Sequence, residues 1–252
     1  MSSITVNSQE VNSFIRPPVR VKAGNSNGNF VVHVPLAKSL LDLGSGQQGD
    51  EFTHLTYTAV TDEIEIFPIK YQLRQRLFQR PVKVALVITM YNESPDLFIK
   101  SMKAVQKNIA YLCSDKCPFS WGMEGWKHFV VVIVSDGRAK IHPKVLTVLE
   151  LMGLYLDTLP RSTVDNKPIQ AHIFEGTTQV SVNEEGELLT CKSGIVPTQV
   201  IFILKEQNKK KINSHKWFFT AVCETIKPSV CMLLDVGTKP APTSLMHLYR
   251  YR

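Results

Sequence analysis

The sequence has no long apolar run. Its longest, Phe129 to Val134, is far short of the roughly 18 residues that a membrane span requires, so no segment reads as a bilayer crossing. Cysteine is scarce as well. The five (Cys113, Cys117, Cys191, Cys223 and Cys231) are odd in number and scattered. The composition is not that of a disulfide scaffold, and Cys113 and Cys117 have no second Cys or His pair at zinc spacing, so reduced, mostly packed thiols are the expectation over a metal site. The N-terminus, MSSITVNSQE, has neither a basic start followed by an apolar stretch nor an Arg-rich amphipathic pattern. No targeting signal is readable, and synthesis in the cytosol is the expectation. Internal repeats are absent too. Acidic residues are the minority, 22 against 29 basic, for a net charge of +7. That balance points to a polyanionic ligand without choosing among nucleic acid, a phospholipid surface and a nucleotide diphosphate.

What is present is a globular balance, 44% hydrophobic and 20% charged over 252 residues, enough for a sizeable core. Residues 1–80 carry few regular signals. Ala23 to Asn29 and Gly44 to Asp50 have the composition of flexible loops. The β-like pieces Phe30 to Val34 and Leu55 to Val60 suggest a small, irregular extension with little core of its own. From residue 81 to 252 the character changes. Strand candidates Val82 to Ile88, Phe129 to Val134, Ala171 to Phe174, Val200 to Leu204 and Val230 to Leu234 are apolar on nearly every residue, as in a parallel sheet covered on both faces.

Helical segments separate them. Ser94 is a candidate N-cap, with Pro95 at the first helical position and Asp96 in the first turn. Phe98, Met102, Val105, Ile109 and Leu112 then recur at helical spacing. A second helix opens at Pro143, carries Leu146 and Leu149, and ends at Gly153. A third opens near Asn213 or Ser214 and stops before Pro228. The expectation is an α/β fold with an open, mostly parallel sheet flanked by helices.

In such sheets the ligand crevice lies beyond the carboxyl ends of the strands. Four of the five expected strand ends carry polar groups: Thr89 to Glu93, Ser135 to Arg138, Lys205 and Glu206 leading into a lysine run, and Asp235 to Thr238. Singly, each has a structural explanation as a turn, a cap or a solvated face. Together, on parallel strands, they describe a site for a nucleotide diphosphate. Tyr91 offers a flat face, Glu93 and Asp136 accept from base or ribose, and Asp235 offers a hard oxygen to Mg²⁺ or Mn²⁺. Lys205 to Lys216 holds five lysines against one acid, with no aromatic residue before Trp217, which favours phosphate compensation and makes nucleic-acid binding the weaker reading.

These residues resemble a known family. ITMYNE (Ile88 to Glu93), IVSDGR (Ile133 to Arg138), KEQNKKKINSHKWFF (Lys205 to Phe219) and LLDVGTKP (Leu233 to Pro240) are similar to the motifs of fungal-type chitin synthases, processive family 2 glycosyltransferases. The likeness runs from about residue 52 to 247. It implies a GT-A fold, UDP-N-acetylglucosamine as donor, a divalent cation, and inverting transfer to the 4-hydroxyl of a growing β-1,4 chitin chain at the cytosolic face of the plasma membrane. By the same resemblance Thr89, Tyr91, Glu93 and Asp136 hold the uridine, Lys210 and Lys211 contact the diphosphate, and Asp235 is the metal carboxylate.

The family's Glu-Asp pair with the general base, its Gln-x-x-Arg-Trp motif and its membrane helices have no counterpart in these 252 residues, and no Asp or Glu follows Asp235. The expectation is the donor-binding half of the domain, residues 81–252, with the base beyond Arg252 and no polymer made by this chain alone. The competing expectation is an inactive basic module that attaches to RNA, to anionic membrane or to a full-length synthase. For the membrane reading the candidate surface is Lys70, Arg74, Arg76, Arg80 and Lys83, in a stretch without acids from Ile66 to Asn92.

Overall fold

The computed structural model describes residues 4–5, 22–26, 29–44 and 49–251. Eight runs join in one sheet: β1 (Lys22–Ser26), β2 (Asn29–Pro35), β3 (His54–Val60), β4 (Val84–Met90), β5 (Phe129–Ser135), β6 (Ala171–Thr178), β7 (Thr198–Lys205) and β8 (Val230–Asp235). Their order is β8-β4-β5-β7-β6-β3-β2-β1. β4, β5 and β7 are rich in β-branched residues and buried along their whole length, as strands covered on both faces must be.

The open α/β sheet flanked by helices is the one the sequence indicates, with parallel pairing confined to β8, β4, β5 and β7. From β7 outward, through β6, β3, β2 and β1, every pairing is antiparallel. Ala171 to Phe174, expected among the parallel strands, opens β6 and runs antiparallel to β7. Its apolar run carries no sign of direction, because a strand buried on both faces reads the same either way.

Two expectations for residues 1–80 are corrected. Ala23 to Ser26 lies in β1 and Asn29 opens β2, because backbone pairing with a neighbouring strand overrides loop-like composition. Residues 27–28, like 45–48 of the second stretch, lie outside the described residues. The core contribution is also larger than that composition implies. Val32 and Val34 of β2 and Leu55, Tyr57 and Ala59 of β3 alternate onto one face and join the main core.

On that face α1 (Pro95–Cys113) and α2 (Pro143–Leu151) cover the sheet. Phe98, Met102, Val105, Ile109 and Leu112 of α1 are all buried. Ser94 holds the N-cap position with extended backbone, but its side chain makes no capping bond. α2 ends as expected: Gly153 turns left-handed (φ 71°) and donates to Glu150 O, while Leu154 N–H reaches Leu149 O, both at 2.8 Å, the paired closure that favours glycine.

The opposite face is covered by α3 (Lys210–Lys216), which continues through a π-helical segment (Trp217–Cys223) and a last turn (Glu224–Ile226) that stops before Pro228. Trp217, Phe218, Ala221 and Val222 pack there against Ala85, Val87, Val130, Val132, Ile201 and Ile203. α3 starts three residues before the expected Asn213, because the Asn208 side chain accepts Lys210 N–H at 3.0 Å and so turns the chain earlier. A short helix, α4 (Ser244–Arg250), packs against α1. Among the described residues no helix is long and apolar enough to cross a membrane.

Candidate functional site

The carboxyl ends of β4, β5 and β8 and the β7–α3 turn open onto one pocket of about 400 Å³. Thr89, Tyr91, Glu93, Asp136, Lys210, Lys211 and Asp235, the residues singled out from the sequence, all line it, beside Met90, Asn208 and Ser214. Parallel pairing places them together. Thr89 sits opposite Asp235 in the β4/β8 ladder, and Met90 opposite Ser135 in the β4/β5 ladder.

Asp235 marks one side of the pocket. Its carboxylate accepts from the Thr89 hydroxyl at 3.0 Å and from the Lys211 ammonium at 2.6 Å. The Lys211 and Asp235 side chains are 55% and 61% exposed, so this pair is open to exchange. The hydrogen-bonded Lys211 ammonium holds the Asp235 carboxyl below the usual range, against a weaker upward push from burial.

Asp136 marks the deep side. Its N–H bonds Met90 O at 3.0 Å. One carboxylate oxygen accepts from the Lys205 ammonium at 2.6 Å and from Lys209 N–H at 2.9 Å. This pair is sealed, with the Lys205 and Asp136 side chains 2% and 8% exposed. Burial pulls the Lys205 ammonium below its ordinary range, and Asp136 pulls it back. Next to it, Gly137 (φ 108°) passes so close that a Cβ would stand 3.2 Å from Asn208 N. At the mouth, Glu93 accepts Tyr91 N–H at 2.6 Å and fixes the turn that carries the Tyr91 ring.

The sequence reading placed Lys205 at a strand end and Ser214 at a helix start, but gave neither of them, nor Asn208, a role of its own in the site. A signal for Lys205 existed: it continues the alternation of Ile201 and Ile203 on the α3 side of β7, so period two buries it. A second polar chain was also missed. Tyr57 OH meets His172 Nδ1 at 2.8 Å, His172 Nε2 meets Glu206 at 2.5 Å, and Arg138 donates to Glu206 at 2.9 Å. Burial lowers the His172 pKa, and although burial also pushes Glu206 up, its bonds from His172 and Arg138 leave it below the usual range.

No group of three or more His, Cys, Asp or Glu among the described residues forms a closed metal cluster. An exposed carboxylate that already seats a cationic ammonium nevertheless fits the ion type expected. Mg²⁺ and Mn²⁺ sites use one or two carboxylates and complete their shell with phosphate oxygens and water.

The basic stretch is largely engaged elsewhere. Lys70 pairs with Asp62 at 2.6 Å and Arg80 pairs with Glu51. Arg74 donates to His54 O and Glu175 O at 2.9 and 3.0 Å, and Lys83 lies 4.8 Å from the Trp121 ring centroid. Arg76 is exposed.

Residues 84–251 match the family described as chitin synthase-like glycosyltransferase domain. The chain belongs to that family. Residues 19–83 match the description chitin synthase N-terminal, so the resemblance read from the motifs holds over most of the sequence. Among known proteins, Chitin synthase 2 of Rhizopus oligosporus is 46% identical over 227 residues, 89% of this chain and 26% of that protein. Chitin synthase 3 of Pyricularia oryzae is 44% identical over 226 residues, 88% of this chain and 25% of that protein. Chitin synthase 2 of Mycosarcoma maydis is 46% identical over 225 residues, 89% and 20% respectively. The chain thus spans about a quarter or less of the length of these relatives.

Proposed function

We propose that the pocket binds UDP-N-acetylglucosamine with a divalent cation, and that the chain is the donor-binding part of a chitin synthase working at the cytosolic face of the plasma membrane. In this reading residues 81–252 are that donor-binding half and residues 1–80 an extension before it. The observation that carries the proposal is the convergence of three carboxylates, two lysines and a tyrosine on one pocket, in a chain of this family.

Tyr91 supplies a face for the uracil ring, and Glu93 with Thr89 supplies polar contacts at the uridine. Asp136, locked by Lys205 and Lys209, presents a fixed acceptor. Lys210 and Lys211 offset the diphosphate charge. Asp235 holds the cation, which supplies countercharge to the leaving diphosphate.

Transfer to the acceptor's 4-hydroxyl also needs a base. Glu93 is tied to Tyr91 N–H and Asp136 to Lys205, and in this reading Asp235 is taken by the cation. The 252-residue polypeptide is therefore expected to bind donor and to form no chitin on its own, lacking a contribution worth about 10²–10⁴ in rate. Calorimetric titration of UDP into the purified chain, with and without Mn²⁺, tests the binding step. Saturable binding strengthened by the cation is expected, and no binding under either condition overturns the reading. Alkali-insoluble polymer from labelled UDP-N-acetylglucosamine would overturn the expectation of inactivity.

A further inference from the structure

Helix α1 breaks its own amphipathic rule. Beside its apolar stripe it buries Ser101 and Asn108, 0% and 1% exposed. Both residue types compete with the helix backbone for hydrogen bonds and are poor choices for a helix interior. Seven positions apart, they lie on one face about two turns from each other. Each is satisfied by the backbone of the segment that follows Asp235. Ser101 Oγ donates to Thr238 O and accepts from Gly237 N–H, both at 2.8 Å. Asn108 donates to Ala241 O at 2.9 Å and accepts from Leu245 N–H at 3.0 Å, with its other amide hydrogen on Ala104 O.

Asp235 itself is loosely held. It ends β8, an edge strand whose one neighbour among the described residues is β4, and the next bond along the ladder, Val236 N–H to Thr89 O, is long at 3.3 Å. The backbone immediately after the carboxylate turns on a bond from Thr238 N–H to Asp235 O at 3.0 Å, and its side-chain hydrogen bonds come from α1.

We propose that Ser101 and Asn108 are positioning residues: by pinning Gly237, Thr238, Ala241 and Leu245 to α1, they set where the Asp235 carboxylate meets a cation-bound diphosphate. The inference rests on the cation role of Asp235 proposed above. Ser101 acts nearest the carboxylate, two residues from it, and Asn108 anchors the far end of the segment where α4 begins. Without the Ser101 hydroxyl, Gly237 N–H and Thr238 C=O lose their buried partner, and the turn carrying them relaxes while α3, which carries the lysine side of the pocket, keeps its own packing on the sheet.

The control lies on the same helix. Gln106 is equally buried, but its amide donates to Val180 O at 3.1 Å rather than to the segment after Asp235. The experiment is calorimetric titration of UDP, with and without Mn²⁺, into the wild-type chain, Ser101→Ala, Ser101→Cys and Gln106→Leu. Ser101→Cys keeps the volume and weakens both bonds, so it carries the comparison if Ser101→Ala does not fold. The expected result is that Ser101→Ala or Ser101→Cys leaves metal-free UDP affinity within about twofold while the Mn²⁺-dependent gain falls at least about fivefold, an energy comparable to a lost pair of neutral hydrogen bonds. Gln106→Leu is expected to shift the melting temperature with the gain intact. A full gain in both Ser101 variants, or an equal loss in Gln106→Leu, overturns the positioning role and leaves the proposed function standing. Absence of any Mn²⁺-dependent gain in the wild type overturns the cation role of Asp235 and this inference with it.

Discussion

The parallel and antiparallel halves of the sheet use the same kinds of charged residue to opposite ends. In the parallel half neighbouring strands end on one side, so Thr89, Asp136, Lys205 and Asp235 gather at a single edge. In the antiparallel half adjacent strands end on opposite sides, and polar groups disperse: the Tyr57–His172–Glu206 chain in one place, Glu175 with Arg74 in another. Exposure then decides what each pair does. Asp235 and Lys211 are more than half exposed and can change partners at a cost of about 1 kcal/mol or less. Asp136 and Lys205 are sealed, and Glu175 is 3% exposed. For these, losing a partner leaves an uncompensated buried charge.

The sharpest way to break this contrast is Lys205→Met, which keeps the apolar stem and strands Asp136. A loss of about 3–5 kcal/mol is expected in urea unfolding at pH 7, with much of it recovered in the double variant Lys205→Met/Asp136→Asn. A loss below about 1 kcal/mol would show that Asp136 reaches water and that the two pairs are alike.

Next in size is the pH dependence of the antiparallel half. Burial pushes the Glu175 carboxyl up to about 7, against the opposing Arg74 N–H and charge. Between its ordinary 4.5 and that value the folded chain keeps a proton the unfolded chain releases. The contribution of Glu175 to stability therefore falls as pH rises through this window, by up to about 3 kcal/mol, while His172, lowered by burial, contributes with the opposite sign. Burial also pushes Glu150 up to about 7, which adds an effect of the same sign as that of Glu175. Denaturant titrations at pH 5 and pH 8 measure the slope, and Glu175→Gln should remove the share that Glu175 contributes, making the slope less negative than in the wild type. A slope unchanged in Glu175→Gln would place that carboxylate in contact with water.

These two pairs also show how far the sequence could be read. Asp136 and Asp235 follow apolar runs that end where a crevice should open, so the site was legible from strand ends alone. Lys205 was hidden in a lysine run whose other members are exposed, and only its alternation with Ile201 and Ile203 distinguishes it. Glu175 lies inside β6, beyond the Phe174 boundary suggested by hydrophobicity, because a strand continues as long as its ladder does. Strand direction was illegible for β6, and β1 was illegible altogether, since backbone pairing rather than side-chain type makes Gly24 and Asn25 a strand.

Within the parallel half, the exposed pair sharpens the comparison. Lys211→Ala should weaken metal-free UDP binding roughly tenfold, the worth of one charge-assisted bond to phosphate. Because Lys211 occupies the Asp235 carboxylate, the same variant should bind Mn²⁺ alone more tightly than wild type. Asp235→Asn should instead remove the Mn²⁺-dependent gain with metal-free binding nearly intact. An Asp235 that only fastens β8 to Thr89 would lower the melting temperature and preserve the gain. Titrations of UDP and of Mn²⁺ into both variants separate these outcomes.

The smallest effect concerns the basic stretch leading into β4. Five free cations against an anionic leaflet would contribute about 1 kcal/mol each, a very large preference for phosphatidylserine. Lys70 and Arg80 are spent on Asp62 and Glu51, Arg74 on backbone carbonyls, and Lys83 on Trp121. Arg76 stays exposed, so the contribution of one residue, about fivefold in affinity, is what should remain. Sedimentation with neutral and phosphatidylserine-rich vesicles measures the ratio, and Arg76→Ala should bring it to unity. A preference of about a hundredfold or more that survives Arg76→Ala would mean that the internal pairs open at a membrane, and that the antiparallel half exchanges its partners as readily as Asp235 and Lys211 do.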